Sequence, residues 1–351
     1  MSDGVSDRKR AHLTLCAEEE VEYRGKTTLF EEVDLVHEAL PELALAEIST
    51  ETTLVGKRLR APLLITGMTG GTPEATAINR NLASVAEEMG IAFGLGSQRA
   101  MQREPELGST FAVRAHAPGT LVLANLGVVQ AARLATAEVE QLVRAVGADA
   151  ICLHLNAAQE LVQPHGDRDF RGGLAAIATL VRELPCPVVV KETGCGISRA
   201  TALRLRDAGV RVLDVSGAGG TSWVKVEALR GDRAAQALGE DLADWGIPTA
   251  AALGGLRGLG LAAIASGGIR NGLEVAKAIA LGAVAAGVAL PVFRAYTAGG
   301  IEGARDFMAR LVAGLRTAML LSGARDLAAL GRVATVLGPR LRGWIDLGGE
   351  E

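Results

Sequence analysis

Two short runs and a few isolated side chains carry most of the chemistry this sequence can do. His154-Leu155-Asn156-Ala157-Ala158-Gln159-Glu160 places an imidazole, two amides and a carboxylate within seven residues. Glu160 can ligate a hard divalent cation, which often takes a single protein carboxylate when it is bound with a substrate phosphate. It can equally be a solvated acid opening a short helix. Ser216-Gly217-Ala218-Gly219-Gly220-Thr221 and Ser266-Gly267-Gly268-Ile269 are glycine-rich stretches whose backbone amides can approach an anion. Tight turns explain one such stretch well and two neighbouring ones less well. Near the start, Arg8-Lys9-Arg10 with His12 is either a solvated tail or a basic segment that folds over a site and neutralises a diphosphate.

These residues need elements to bring them together. Short β-branched runs begin near Pro62, Ile91, Leu121, Ala150, Pro187, Arg211, Leu261 and Val284, at intervals of 29, 30, 29, 37, 24, 50 and 23 residues. Most intervals sit near the ~30 residues of a βαβ unit, so neighbouring strands should be parallel. Eight such units predict an α/β chain of (β/α)8, or TIM-barrel, class rather than an open sheet. Helical signals lie between the strands: a Val139, Leu142, Val143, Val146 stripe, an Asn271 cap with Gly282 beyond, and Ser198 paired with Gly209. One domain is expected, with residues 1–60 as an N-terminal extension and lid, 61–300 as the barrel and 301–351 as a helical tail. An insertion fills 221–261.

In such a barrel the site lies at the C-terminal strand ends. Those ends here read Thr66-Gly67-Met68-Thr69-Gly70-Gly71, Gly94-Leu95-Gly96-Ser97-Gln98-Arg99, Asn125, His154-Leu155-Asn156, Lys191, Asp214-Val215-Ser216 and Ser266-Gly267-Gly268. Strand alternation turns His154, Asn156, Lys191, Asp214 and Ser216 toward the axis and Leu153 and Leu155 toward the helices. Loops after strands seven and eight are the usual phosphate site of this fold. Lys191 then lies by the polar ring edge of a phosphorylated cofactor, where it can stabilise negative charge on a reduced flavin.

Composition narrows the classes. The chain has 351 residues, 36 Lys and Arg against 40 Asp and Glu, 49% hydrophobic and 22% charged residues, but only 3% aromatics. That ratio argues for a globular chain, and the slightly acidic, aromatic-poor balance argues against nucleic-acid binding. The longest apolar run, Ala278 to Phe293, has 16 residues and contains Gly282, Gly287 and Pro291. It is shorter than the ~18–20 of a spanning helix, so no membrane role is expected. Cys16, Cys152, Cys186 and Cys195 form no CxxC pair, and the polar start lacks a signal-peptide core. A cytoplasmic protein with reduced thiols is expected.

From Arg8-Lys9-Arg10-Ala11-His12 through TGMTGG, GSQR, NLG, HLNAAQE, GDRDF, VKETGCGIS, DVSGAGGTSW and ASGGIRNG, the chain resembles the FMN-dependent type 2 isopentenyl-diphosphate Δ-isomerases. The resemblance implies FMN, Mg2+ and a diphosphate of a five-carbon alkene. It also implies interconversion of isopentenyl and dimethylallyl diphosphate, with reduced FMN acting as acid and base and NADPH keeping it reduced. By matching motif positions, FMN would be held by Gly67, Met68, Thr69, Ser97, Asn125, Lys191, Ser216, Thr221, Gly267, Gly268, Ala289 and Leu290. Substrate would meet Arg8, Lys9, Ser97, Gln98, Arg99, His154, Asn156 and Gln159. Glu160 would bind Mg2+, and Gln159, His154 and Lys191 would be catalytic. His165 is assigned no role. A homo-oligomer is expected from the extension and the tail.

Other classes make different demands. Oxidation of a 2-hydroxy acid on the same barrel wants a late His/Arg pair, and 250–270 contains no histidine. An inosinate-dehydrogenase-like reading wants a nucleophilic cysteine after strand six, and 216–230 has none. A phosphate-ligand sensor without catalysis remains the alternative from outside enzymology.

Overall fold

The computed structural model describes residues 5–347. Residues 1–4 of the polar start and 348–351 of the tail lie outside the described residues. Eight parallel strands close into a barrel: β4 (Leu63–Ile65), β5 (Ala92–Gly94), β6 (Val122–Gly127), β7 (Ala150–His154), β8 (Val188–Lys191), β9 (Val212–Asp214), β10 (Ala262–Ser266) and β11 (Ala283–Val288). All eight coincide with the β-branched runs read from the sequence. β11 pairs with β4 through Ala286–Leu63 and Val288–Ile65, and this closes the cylinder.

Alternation along each strand divides two cores. Leu64, Ala92, Leu123, Cys152, Val189, Ile264 and Ala285 pack inside the barrel. Ile65, Phe93, Ile151, Leu153, Val190 and Leu213 face the helices. The inward parity carries on past Cys152 to His154 and past Val189 to Lys191, which aims both side chains at the upper mouth. Between the strands, Ser198 and Asn271 cap their helices by accepting from Thr201 N and Glu274 N.

The extension folds into more than a lid. Its first segment is a helix, Val5–Glu18, and a short strand β1 (Val33–Leu35) follows. β2 (Thr52–Leu54) and β3 (Lys57–Leu59) form a hairpin through Val55-Gly56, both at positive φ (50° and 81°), as a two-residue turn requires. Leu54 and Leu59 on that hairpin plug the lower end of the barrel core.

The tail is not wholly helical. The helix Leu290–Leu321 breaks at Gly299 and Gly300, and beyond it β12 (Thr335–Leu337) pairs antiparallel with β1. Three helices, Trp223–Arg230, Arg233–Asp241 and Thr249–Gly255, fill the insertion after β9.

The N-terminal helix sits across the upper mouth. Its Cys16 and the following Val21 pack with Val226, Leu290 and Phe293. Arg294 donates to the carbonyls of Cys16 (3.0 Å) and Glu19 (2.6 Å), satisfying acceptors the helix end leaves open. His12 bonds Glu227 at 2.9 Å and meets Trp223 edge-on, its ring centroid 5.1 Å away. Residues read as a tail or a cover are thus clamped as a cover.

Candidate active site

The strands converge on one cavity beneath that helix. Gly67, Met68 and Thr69 line it after β4, Ser97 and Arg99 after β5, and Asn125 from β6. His154, Asn156, Gln159 and Glu160 enter from β7 and the short helix Ala157–Val162, and Lys191 from β8. Ser216, Thr221, Gly267, Gly268, Ala289 and Leu290 complete the far wall, and Arg8 and Lys9 descend from the roof.

His154 is held as a neutral imidazole. Asn125 spends its amide N–H on Leu95 O (2.9 Å), so its Oδ1 faces His154 Nδ1 at 2.8 Å and accepts from it. The network therefore assigns the proton to Nδ1 and leaves Nε2 as an acceptor. Burial, with Lys191, Lys9 and Arg99 close by, pushes the His154 pKa down to about 3. Below Lys191, Asp214 is buried and accepts from Ser266 Oγ (2.5 Å) and Ser216 N (3.2 Å). Burial raises its carboxyl, against the charge of Lys191.

One end of the cavity suits a phosphorylated planar group. A Cβ on Gly67 would lie 1.9 Å from Leu95 O, so only glycine lets that loop lie flat against β5. Gly267 and Gly268 hold φ of 96° and 83°, which keeps their backbone folded toward the cavity. The helix Leu290–Leu321 starts at this wall without a side-chain cap; Pro291 brings no N–H, so the Leu290 and Val292 amides are those its first turn leaves open to an anion. Thr69 Oγ1 is buried and has no partner.

The other end is cationic. Arg8 Nε and Arg99 Nε are also buried without partners, so three of the six such atoms among the described residues border this one cavity. Unmet buried donors of this kind are rare and point to a ligand that completes them. Burial and the adjacent Arg8 charge push the Lys9 pKa down to about 8. Glu160 faces the same end, accepting from Asn156 Nδ2 (3.1 Å) and Asp167 N (2.8 Å). With the amide oxygens of Asn156 and Gln159 it can supply oxygen ligands of the kind a hard cation takes. Among the described residues no group of three or more His, Cys, Asp or Glu is arranged as a metal cluster.

Gln98 is placed elsewhere. It is fully buried behind the wall, where Nε2 donates to Leu142 O (2.9 Å) and Oε1 accepts from Asn125 N (3.2 Å). So placed, it braces Asn125 instead of reaching a substrate. The expectation of contact fails because the chain after β5 is a loop, where neither of two adjacent polar residues is marked as inward by parity.

Two carboxylates escaped the sequence reading. Glu227, fully buried on the helix Trp223–Arg230, accepts from His12 Nε2, from Gln159 Nε2 (3.0 Å) and from Arg230 Nη1 (2.6 Å). Burial would raise its carboxyl, but His12, Gln159 and Arg230 outweigh it and hold it well below the usual carboxylate range. The signal lay in its flanks, since Val224, Val226 and Ala228 make an apolar stretch in which a lone acid needs a partner. Asp167, in the GDRDF loop, accepts from Gln130 Nε2 (2.8 Å) and Arg133 (3.0 Å). Nothing in its neighbours announces that.

Comparison with known proteins bears on this arrangement. An isopentenyl-diphosphate delta-isomerase of Aeropyrum pernix is 47% identical over 347 residues, 97% of this chain and 92% of the relative. One of Methanothermobacter thermautotrophicus is 43% identical over 353 residues, covering 99% and 97%.

The chain belongs to the isopentenyl-diphosphate delta-isomerase family.

The FMN-dependent dehydrogenase family profile also matches, over residues 2–160 and 154–336. Among solved structures, a mandelate oxidase mutant with a monooxide FMN adduct superposes with a TM-score of 0.63 at 20% identity, over 95% of this chain and 100% of the other. A putative lactate oxidase of Pediococcus acidilactici gives 0.66 at 16%, over 90% and 88%. At such identities the likeness concerns the barrel fold alone, and the family membership rests on the isomerases.

Proposed function

We propose that this chain interconverts isopentenyl and dimethylallyl diphosphate, with FMN on the glycine-lined wall, NADPH as its reductant and Mg2+ at Glu160. The observation that carries the reading is the pairing of two anion-seeking ends in one cavity. Arg8 on the roof helix and Arg99 after β5 keep unmet buried donors at one end, and the Thr69, Gly267-Gly268 and Leu290 wall offers its own at the other.

Moving a double bond along a five-carbon chain needs a proton added at one carbon and another removed, with cationic character between. Such charge is costly in an apolar pocket unless a fixed anion or dipole faces it. Reduced FMN, when bound, supplies an electron-rich ring and an exchangeable proton at N5.

The protein's share is position and charge. Lys191 reaches the cavity beside His154, where it would steady negative charge on a bound flavin. Arg8, Lys9 and Arg99 hold the diphosphate, and the N-terminal helix excludes water, which strengthens every interaction below it. Glu227 fixes Gln159 through one hydrogen bond and the roof, through His12, with another. His154 presents a neutral acceptor and Asn156 and Gln159 present amides, so the tail of the substrate is ordered without further charge. Asn125, Ser97, Ser216 and Thr221, which line the same cavity, would hold the cofactor.

The four cysteines are unpaired in the structure, and a cytoplasmic setting keeps them so. No helix among the described residues is long and apolar enough to cross a membrane. Exposed Leu161, Leu229 and Leu238 favour contact with a second copy of the chain. The test is isomerisation of isopentenyl diphosphate, followed by proton NMR, with apoprotein and with FMN-loaded protein reduced anaerobically. Dimethylallyl diphosphate should form only in the second, and equal yield from both would overturn the reading. Glu160→Gln should keep FMN bound and raise the Mg2+ needed for half-maximal turnover; unchanged Mg2+ dependence would remove its role.

A further inference from the structure

Arg99 lies between two carboxylates. Its Nη1 is 3.5 Å from Glu160 Oε1 and 3.6 Å from Asp167 Oδ2, both beyond good hydrogen-bond length, and its Nε has no partner. A guanidinium with five donors in so loose a grip is held by charge, not locked by geometry. Asp167 is locked. Gln130 and Arg133 bond it at 2.8 and 3.0 Å, and its own backbone N–H donates to Glu160 Oε2 at 2.8 Å. Arg168 adds a bond to the Glu160 backbone carbonyl, so the whole loop is closed on Glu160.

The two acids therefore differ in what happens if Arg99 leaves. Asp167 keeps Arg133 as a bonded counter-charge, whereas Glu160 is bonded only by amide donors and feels Arg8 as a nearby, unbonded charge. We infer that Arg99 is a built-in stand-in for the divalent cation, occupying the charge position between Glu160 and Asp167 until a diphosphate recruits it. This rests on the reading of Glu160 as the cation ligand. Before ligand arrives, Glu160, Asp167, Arg99 and Arg133 sum to zero charge with the Arg8 cation close by, so a free dication meets no net attraction; a diphosphate would draw on Arg8 as well as Arg99. An incoming diphosphate gives Arg99 a bidentate partner and completes its unmet Nε donor. The pocket left behind is net negative and takes the cation. Asp167 is a positioning residue in this scheme: it aims Arg99 and braces Glu160. The cation and the diphosphate then bind as a coupled pair, and each must tighten the other by the same factor.

The test is binding of Mn2+ alone to FMN-loaded protein in phosphate-free buffer, read by loss of the free-ion electron paramagnetic resonance signal, then repeated with inorganic pyrophosphate under equilibrium dialysis. The parent protein should bind Mn2+ saturably only when pyrophosphate is present. Arg99→Met should bind Mn2+ by itself at least about tenfold more tightly than the parent, within the usual range of coupling between sites. Arg99→Met with Glu160→Gln should lose that gain. Arg99→Gln repeats the measurement if the methionine variant loses its FMN spectrum or its melting transition. Parent protein that binds Mn2+ alone as tightly as the Arg99 variants overturns the inference. So do variants that gain nothing while the parent binds Mn2+ through Glu160 with pyrophosphate present. If the parent binds no Mn2+ even with pyrophosphate, the assignment of the cation to Glu160 has failed and the stand-in role falls with it.

Discussion

Replacing His154 by Asn should flatten the pH dependence of stability by an amount the structure sets. The imidazole is buried against Lys191, Lys9 and Arg99, and its folded pKa lies at about 3 against 6.5 for the unfolded chain. In the window between those values the unfolded chain binds a proton that the native protein refuses. Stability is therefore highest above 6.5 and falls as pH drops toward 3. From pH 7.5 to 5.5 the loss from this one group is about 1.4 kcal/mol, because the folded pKa lies far below both conditions. Asn at 154 keeps an amide donor for Asn125 Oδ1 and removes the titration. The assay is equilibrium guanidinium unfolding by circular dichroism at the two pH values, with FMN at one fixed concentration. The parent should lose about 1.4 kcal/mol more than His154→Asn across this interval. Equal losses would show that the imidazole takes up its proton in the native cavity, and the neutral acceptor assigned to it would be wrong.

Other side chains give further tests. Lys9 titrates at about 8 in the free protein, so its charge is present below that and lost above it. The KM for isopentenyl diphosphate should rise about tenfold from pH 7 to 9, and Lys9→Gln should show a raised KM that stays flat; a parallel rise in the variant would contradict this. Glu227→Gln leaves His12, Gln159 and Arg230 facing a neutral amide. It should cost about 2–4 kcal/mol in unfolding measurements and lower kcat about tenfold at similar KM, whereas parent-like values would deny it a part in orienting Gln159. Gly67→Ala places a methyl 1.9 Å from Leu95 O and 3.1 Å from Asn125 Nδ2. FMN affinity should fall by about 10- to 100-fold in a fluorescence titration, and an unaltered affinity would move the cofactor off this wall.

Much of this arrangement was legible in the sequence because barrels convert one-dimensional order into position. The spacing of β-branched runs marked all eight strands, and parity carried inward-facing Cys152 and Val189 on to His154 and Lys191. The rule stops where the strand stops. Ser97 and Gln98 are neighbours in a loop, and only packing against Leu142 and Asn125 decided that Ser97 lines the cavity and Gln98 supports it. Long-range pairings were equally silent. Nothing in Val33–Leu35 or Thr335–Leu337 announces that extension and tail join as two strands, a contact closed over some 300 residues of chain. Glu227 and Asp167 were missed for the same reason, since each finds partners on elements remote in sequence: His12 and Gln159 for Glu227, and Gln130 and Arg133 for Asp167. A helical Glu between apolar neighbours was a readable warning, but a loop Asp among other charged residues was not.

The central claim is that this cavity moves a proton onto and off an alkene with the reduced cofactor in place. Its most direct test is incubation of isopentenyl diphosphate with anaerobically reduced, FMN-loaded protein in deuterated water, with deuterium located by NMR and the flavin spectrum recorded throughout. Deuterium should enter both the dimethylallyl product and the recovered substrate while the flavin ends in the oxidation state in which it began. Product free of solvent deuterium, or one equivalent of flavin oxidised for each product formed, would contradict the account.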